Sequence, residues 1–140
     1  VERTLVDWIK HHEGYRRFVY ECPAGVLTVA FGRNLETVGI SEEEADYLLS
    51  NDIKRCVAQL ERYIWFTHQP RQVKDALINM CFNLGITRLL GFKKMIAALA
   101  MKDYTTAAKE ALDSRWADQV GNRAKDISLA IREGGNGPRC

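Results

Sequence analysis

Apolar residues recur along most of this chain at helical spacing, and one early stretch breaks that rhythm with strand-like alternation. Residues 1–12 place Leu5, Trp8 and Ile9 on one side of an amphipathic helix, with Gly14 releasing the chain behind it. From Phe18 to Phe31 the residues alternate around Pro23 and Gly25, which predicts a small antiparallel hairpin or three-strand sheet with Cys22 near its turn. Ser41 followed by Glu44 forms a capping box, in which serine and glutamate satisfy backbone donors on opposite sides of a helix start. Behind it Ala45, Leu48, Leu49, Ile53, Cys56, Val57 and Leu60 keep helical register to about Tyr63. Such a helix can connect two lobes and double as a hinge.

Pro70 suits the first turn of another helix, whose apolar residues Val73, Leu77, Met80, Cys81 and Leu84 predict the buried centre of the larger lobe, ended by Gly85. Shorter helices are expected around Lys93–Met101, Tyr104–Leu112, Arg115–Gln119 and Asn122–Arg132, separated by Asp103, Asp113 and Gly121. The run Gly134-Gly135-Asn136-Gly137-Pro138 reads as a flexible tail over residues 133–140 with no assigned function. The expected class is α+β, mainly α: one domain over residues 1–132, with a small β-hairpin lobe near 13–50. A long helix joins it to a helical lobe near 64–132, which the N-terminal helix completes.

With 140 residues the chain is long enough to bury roughly two-thirds of its unfolded surface in one domain or two small lobes. Twenty basic against 18 acidic residues leave a net charge of +2, which carries no footprint of nucleic-acid binding and allows only weak attraction to an acidic cell wall. No apolar run has the length of a membrane span, and the amino end lacks a basic region followed by an apolar signal core. The chain begins at Val1 without an initiator methionine, which leaves room for an upstream export segment, anchor or neighbouring domain. Cys22, Cys56, Cys81 and Cys140 are scattered without zinc-ligand spacing or disulfide-scaffold density, and Cys56 and Cys81 fall on apolar helical faces as small core residues. His11 and His12 point to different sides of a helix and make no metal site. The sequence order contains no internal repeat, phosphate-binding glycine loop or assignable serine-histidine-aspartate set.

The candidate chemistry lies around the hairpin. Glu13 ends a helix, Cys22 follows nine residues later, and Thr28 six after that. Cleaving a glycosidic bond needs a proton for the leaving oxygen and a way to deliver or replace water. A carboxyl group shielded from water can stay protonated and serve as the acid, which suits Glu13, and a threonine hydroxyl such as Thr28 can hold the attacking water. Taken singly, a glutamate is usually a solvated surface group and a strand threonine a good strand former, so the joint pattern carries the signal.

That pattern, Glu, eight residues, Asp or Cys, five residues, Thr, resembles the bacteriophage T4-type lysozymes, a glycoside hydrolase family. The likeness continues through Gly39-Ile40-Ser41-Glu42-Glu43-Glu44-Ala45, the segment from Ala76 to Gly85, Gly91-Phe92, Ser114-Arg115-Trp116 and Asn122-Arg123-Ala124, and reaches about Arg132. The resemblance implies a two-lobed fold enclosing a groove for the peptidoglycan glycan strand. Glu13 would be the general acid at the bond between N-acetylmuramic acid and N-acetylglucosamine, and Arg123 would face it. Gly32 and Asn34 would lie along the groove, Phe82 and Asn83 would meet sugar rings or N-acetyl groups from a facing helix, and Trp116 would pack behind the site. No metal or organic cofactor is implied. The partner would be peptidoglycan, with no nucleic acid or membrane, for a monomer unless it forms part of a larger phage protein. Synthesis in the host cytoplasm and action at the periplasmic cell wall would follow.

Two positions depart from the family pattern. Cys22 stands where many members have aspartate, and an ordinary thiol, with a pKa of about 8.5, is mostly protonated at neutral pH. It could act as a base through its thiolate, as a nucleophile, or as a neutral group shaping the water site; water assistance is favoured because aspartate at that position suggests it. Glu21 is a weaker substitute, since adjacent strand residues point oppositely. Arg33 replaces the histidine common after the matching glycine, so an ion pair built on that histidine is lost, and the loop from Leu35 to Gly39 is short. The expected function is a muramidase serving phage host lysis or envelope penetration. A lytic transglycosylase, in which Glu13 acts as acid and then base, and a decayed fold that binds glycan without cutting it are the alternatives. Retention of Glu13, Thr28 and Arg123 argues against decay.

Overall fold

A computed structural model describes residues 4–136, and its chain divides into two compact units, Val1–Leu48 and Leu49–Cys140. The first unit opens with α1 (Leu5–Glu13), capped by Thr4, whose hydroxyl accepts the Asp7 amide at 3.0 Å. Val1, Glu2 and Arg3, expected within this helix, lie outside the described residues. Gly14 ends α1 at φ +71°, a conformation open to glycine, with its amide on the Lys10 carbonyl at 2.9 Å. By this division α1 and the hairpin fall in the same unit.

The alternating stretch forms β1 (Arg16–Glu21), β2 (Leu27–Ala30) and β3 (Arg33–Asn34), an antiparallel sheet in the order β1-β2-β3. Tyr20 pairs with Thr28 across the first ladder, and Thr28 with Asn34 across the second, so Thr28 holds the middle of the sheet. The β1–β2 connection is a tight turn: the Gly25 amide bonds the Cys22 carbonyl at 2.8 Å and the Cys22 amide bonds the Val26 carbonyl at 3.0 Å. Pro23 supplies the fixed φ that the turn's first central position favours. The capping box forms as expected: Ser41 Oγ accepts the Glu44 amide at 3.1 Å, and Glu44 Oε1 accepts the Ser41 amide at 2.9 Å. Helix α2 (Glu42–Leu60) starts there and contains the unit boundary.

The second unit is helical: α3 (Ile64–Thr67), α4 (Arg71–Leu84), α5 (Ile86–Leu90), α6 (Lys93–Ala100), α7 (Tyr104–Leu112), α8 (Arg115–Val120) and α9 (Asn122–Asn136). Its core centres on α4, where the expected stripe of Val73, Leu77, Met80, Cys81 and Leu84 is buried together with Ala76. Helix α9 packs on α4 and α7, and α7 packs on α6. Asp103 and Ser114 cap α7 and α8, accepting amides of Thr106 and Ala117 at 3.2 and 3.0 Å. A buried polar chain is fully paired: Tyr104 donates to Gln69 Oε1 at 2.6 Å, and Gln69 Nε2 donates to the carbonyls of Trp65 and Leu99.

One expectation is corrected. Residues 133–136 belong to α9 rather than to a flexible tail, and Gly135 is buried. Glycine serves close packing here: a Cβ at Gly135 would fall 2.0 Å from Tyr104 Cγ, and one at Gly134 would fall 2.7 Å from Gln72 Cβ. The rest of the expected tail, residues 137–140, lies outside the described residues, Cys140 included. Among the described residues no helix is long and apolar enough to cross a membrane.

Candidate active site

In the first unit, the helix end and the sheet bring Glu13 onto the β2–β3 turn. Glu13 is the last residue of α1, and its carboxyl reaches Gly32, where a built Cβ would lie 2.7 Å from Oε2 and 2.9 Å from Cδ. Gly32 holds φ +76° between β2 and β3. Among the described residues of this unit, no hydrogen bond or ion pair engages the Glu13 carboxyl.

Cys22 and Thr28 meet at the hairpin turn. The Thr28 hydroxyl is buried and donates to the Val26 carbonyl at 2.8 Å, the same oxygen that accepts the Cys22 amide. Its proton is thereby committed, while its lone pairs can still accept from a donor such as water. Cys22 is half-buried, and its thiol is held below its ordinary range by the backbone amides of Val26 and Ala24, against an opposing effect of burial. Cys81 is the contrast: burial, then the neighbouring Cys56, push its thiol up to about 12, as befits a core residue. Cys22 is thus the described cysteine whose surroundings favour the anion.

Asn34 is largely spoken for. Its Oδ1 accepts the amides of Glu36 and Thr37 at 2.9 and 3.0 Å, and its carbonyl accepts those of Val38 and Gly39, so it builds the short loop after β3 and, among the described residues, leaves Nδ2 free to donate. Arg33 takes a new partner in place of any pair built on histidine. Its guanidinium grips both carboxylate oxygens of Glu44, one of them at 2.7 Å, and donates to the Gly39 carbonyl at 3.1 Å. Arg33 therefore ties that loop to the start of α2. The Arg33 guanidinium, and after it the Ser41 amide and hydroxyl, hold the Glu44 carboxyl down at about 2.

In the second unit, Arg123 of α9 donates through Nε to Asn79 Oδ1 at 2.9 Å and through a terminal nitrogen to the Asn79 carbonyl at 3.4 Å. Arg123 and Asn79 line a cavity of about 370 Å³ with Asp75, Leu49, Ile53, Ile78 and Phe82. Phe82, 42% exposed, gives this cavity an aromatic wall. Asn83 is one step round the helix and accepts the Trp116 indole N–H on Oδ1 at 2.8 Å. Trp116 is buried edge-on against Phe92.

Sequence reasoning passed over Asn79 and Asp75. A signal existed: Asp75, Asn79 and Asn83 recur every four residues along α4, on the face away from its apolar stripe, although asparagine and aspartate are poor helix formers.

The family model for phage lysozyme matches residues 10–132. An endolysin of Acyrthosiphon pisum secondary endosymbiont phage 1 is 32% identical, over 87% of this chain and 84% of its own length. The Dictyostelium discoideum protein named "Probable T4-type lysozyme 1" is 23% identical, over 94% of this chain and 95% of its own. The pre-baseplate central spike protein Gp5 of Enterobacteria phage T4 is 28% identical over 94% of this chain, which spans only 28% of that protein. With the match running from the end of α1 through most of α9, and with Glu13, Cys22 and Thr28 inside it, the chain belongs to the phage lysozyme family, whose members act on bacterial peptidoglycan.

Proposed function

We propose that this protein is a muramidase that hydrolyses the β-1,4 bond between N-acetylmuramic acid and N-acetylglucosamine, in phage host lysis or penetration of the envelope. The observation that carries the reading is that Cys22 and Thr28 both bond the Val26 carbonyl at one hairpin turn, in a unit that also presents the Glu13 carboxyl at the end of α1. Glu13 donates its proton to the glycosidic oxygen as the bond to the anomeric carbon breaks. A water lies against the free lone pairs of Thr28 and gives up a proton to the Cys22 thiolate as its oxygen bonds that carbon. One bond is broken, one formed, and both protons are accounted for.

A thiol can fill the aspartate position because the turn favours its anion: the Val26 and Ala24 amides stabilise negative charge at sulfur. The free Nδ2 of Asn34, the Phe82 ring, the Asn83 amide and the Arg123 guanidinium are assigned to sugar rings, N-acetyl groups and substrate anions. The site of action is the cell wall.

Mass spectrometry of the products from purified peptidoglycan, incubated under reducing conditions with wild type and with Glu13→Gln, tests the assignment. Hydrated reducing-end muramic acid from wild type, lost in the variant, is the expected result. Anhydro-muramic products would replace hydrolysis by transglycosylation, and a folded wild type that releases nothing would leave a glycan-binding domain.

A further inference from the structure

We propose that Gly32 is a positioning residue for the Glu13 carboxyl, whose seat is the space that any side chain at residue 32 would fill. This rests on the reading of Glu13 as the acid. The β2–β3 turn carries Gly32 at φ +76°, directly against the last side chain of α1. A Cβ there would lie 2.7 Å from Oε2, 2.9 Å from Cδ and 3.5 Å from Cγ of Glu13, closer than non-bonded atoms can sit for the first two. The obstruction falls on the acid end of the side chain: the three nearest atoms all belong to Glu13. Among the described residues of this unit no donor ties the carboxyl down, and the turn at Gly32 is what it lies against.

The consequence is specific to one atom group. A carboxyl at the free end of a flexible side chain yields to an added methyl by swinging away, so Gly32→Ala moves the acid rather than disrupting a core. General acid catalysis depends on reach to the leaving oxygen, and a displacement near 1 Å is enough to cost on the order of 100-fold in rate. Sugar binding elsewhere on the chain is untouched.

The backbone conformation needs its own control, because alanine at positive φ is strained wherever it sits. Gly39 supplies it: φ is +66° and an added Cβ meets nothing within 4 Å. Gly39→Ala therefore carries the backbone cost without touching Glu13.

Wild type, Gly32→Ala and Gly39→Ala are compared by kcat and KM on peptidoglycan and by NMR of the Glu13 Cδ resonance, labelled with ¹³C and assigned by its loss in Glu13→Gln. For Gly32→Ala, kcat falls about 10- to 100-fold with KM within about twofold. The Glu13 resonance moves in that variant and stays in place in Gly39→Ala, which retains near wild-type kcat. A Gly32→Ala protein with unmoved Glu13 resonance, or with a kcat loss matched by Gly39→Ala, overturns the proposal. If wild type cleaves no glycan the acid assignment itself falls, and the NMR comparison then decides alone whether Gly32 seats the carboxyl.

Discussion

The indole N–H of Trp116 donates to Asn83 Oδ1 at 2.8 Å, and this one bond decides which way the Asn83 amide faces. Indole nitrogen is a donor only, so it must meet the amide oxygen, and Nδ2 remains as the donor of that amide. A sugar N-acetyl carbonyl is the acceptor such a donor suits. Trp116→Phe keeps most of the ring that packs on Phe92 and removes the N–H, freeing the amide to flip. KM on peptidoglycan is expected to rise several-fold with kcat little changed, and stability to fall by about 1 kcal/mol for the lost hydrogen bond. An unchanged KM in a folded Trp116→Phe protein would remove Asn83 from substrate binding.

The Arg33–Glu44 pair gives the first unit an acid-sensitive brace. Glu44 is held at about 2 in the folded chain, against about 4.3 for an ordinary glutamate. A folded-state value below the unfolded one means the contribution is fully present above the unfolded pKa and is lost as pH falls through the folded one. The brace therefore weakens from about pH 4 and is gone near pH 2. Both side chains are more than one-third exposed, so solvent and salt screen the pair and its net worth is small. Thermal midpoints of wild type and Arg33→Gln should differ at about pH 6 and converge as pH approaches 2. A gap independent of pH would assign the Arg33 effect to packing or to its bond with the Gly39 carbonyl.

What the sequence reveals depends on whether the cause is local. The Ser41–Glu44 capping box and the α4 stripe are legible because each is complete within about one helix, and both form. The hairpin is legible from alternation and from Pro23 and Gly25 for the same reason. Helices α3 and α5 escape because four or five residues are too few to show a period. Glu13, Cys22 and Thr28 stand out by spacing, yet their partners do not. That Thr28 gives its proton to Val26 and that Asn34 spends its oxygen on the next loop are facts of turn geometry. Gly134 and Gly135 mislead because glycine composition reads the same in a loose tail and in a close helix contact, and the residues they lie against, Gln72 and Tyr104, are distant in sequence.

That contact is testable. Gly135→Ala would drive a methyl into the Tyr104 ring, 2.0 Å from Cγ, and Tyr104 is itself buried and bonded to Gln69. The ring has no free path aside, so the end of α9 must lift or the core must shift. Overpacking of this kind costs about 1–3 kcal/mol. Urea denaturation of wild type and Gly135→Ala should show a matching loss at unchanged slope. A loss under about 0.5 kcal/mol would return residues 133–136 to the status of a dispensable tail.

Cys22 offers the sharpest separation of chemistry from placement, because three side chains can be compared at one turn. If the thiolate takes the proton from water, kcat/KM rises as pH passes the Cys22 pKa, which the Val26 and Ala24 amides hold below the usual thiol range. Cys22→Ser keeps a small polar group beside Thr28 but has no anion in that range, so it should lose at least about 10-fold in kcat and lose the rising limb as well. Cys22→Asp restores a base and moves the limb toward about pH 4, where an ordinary aspartate ionises. Serine activity equal to wild type, with the same pH profile, would sink the thiolate role and leave Cys22 as a group that shapes the water site. Activity restored by aspartate and not by serine would instead show that the position needs a base, and that sulfur is one way to supply it.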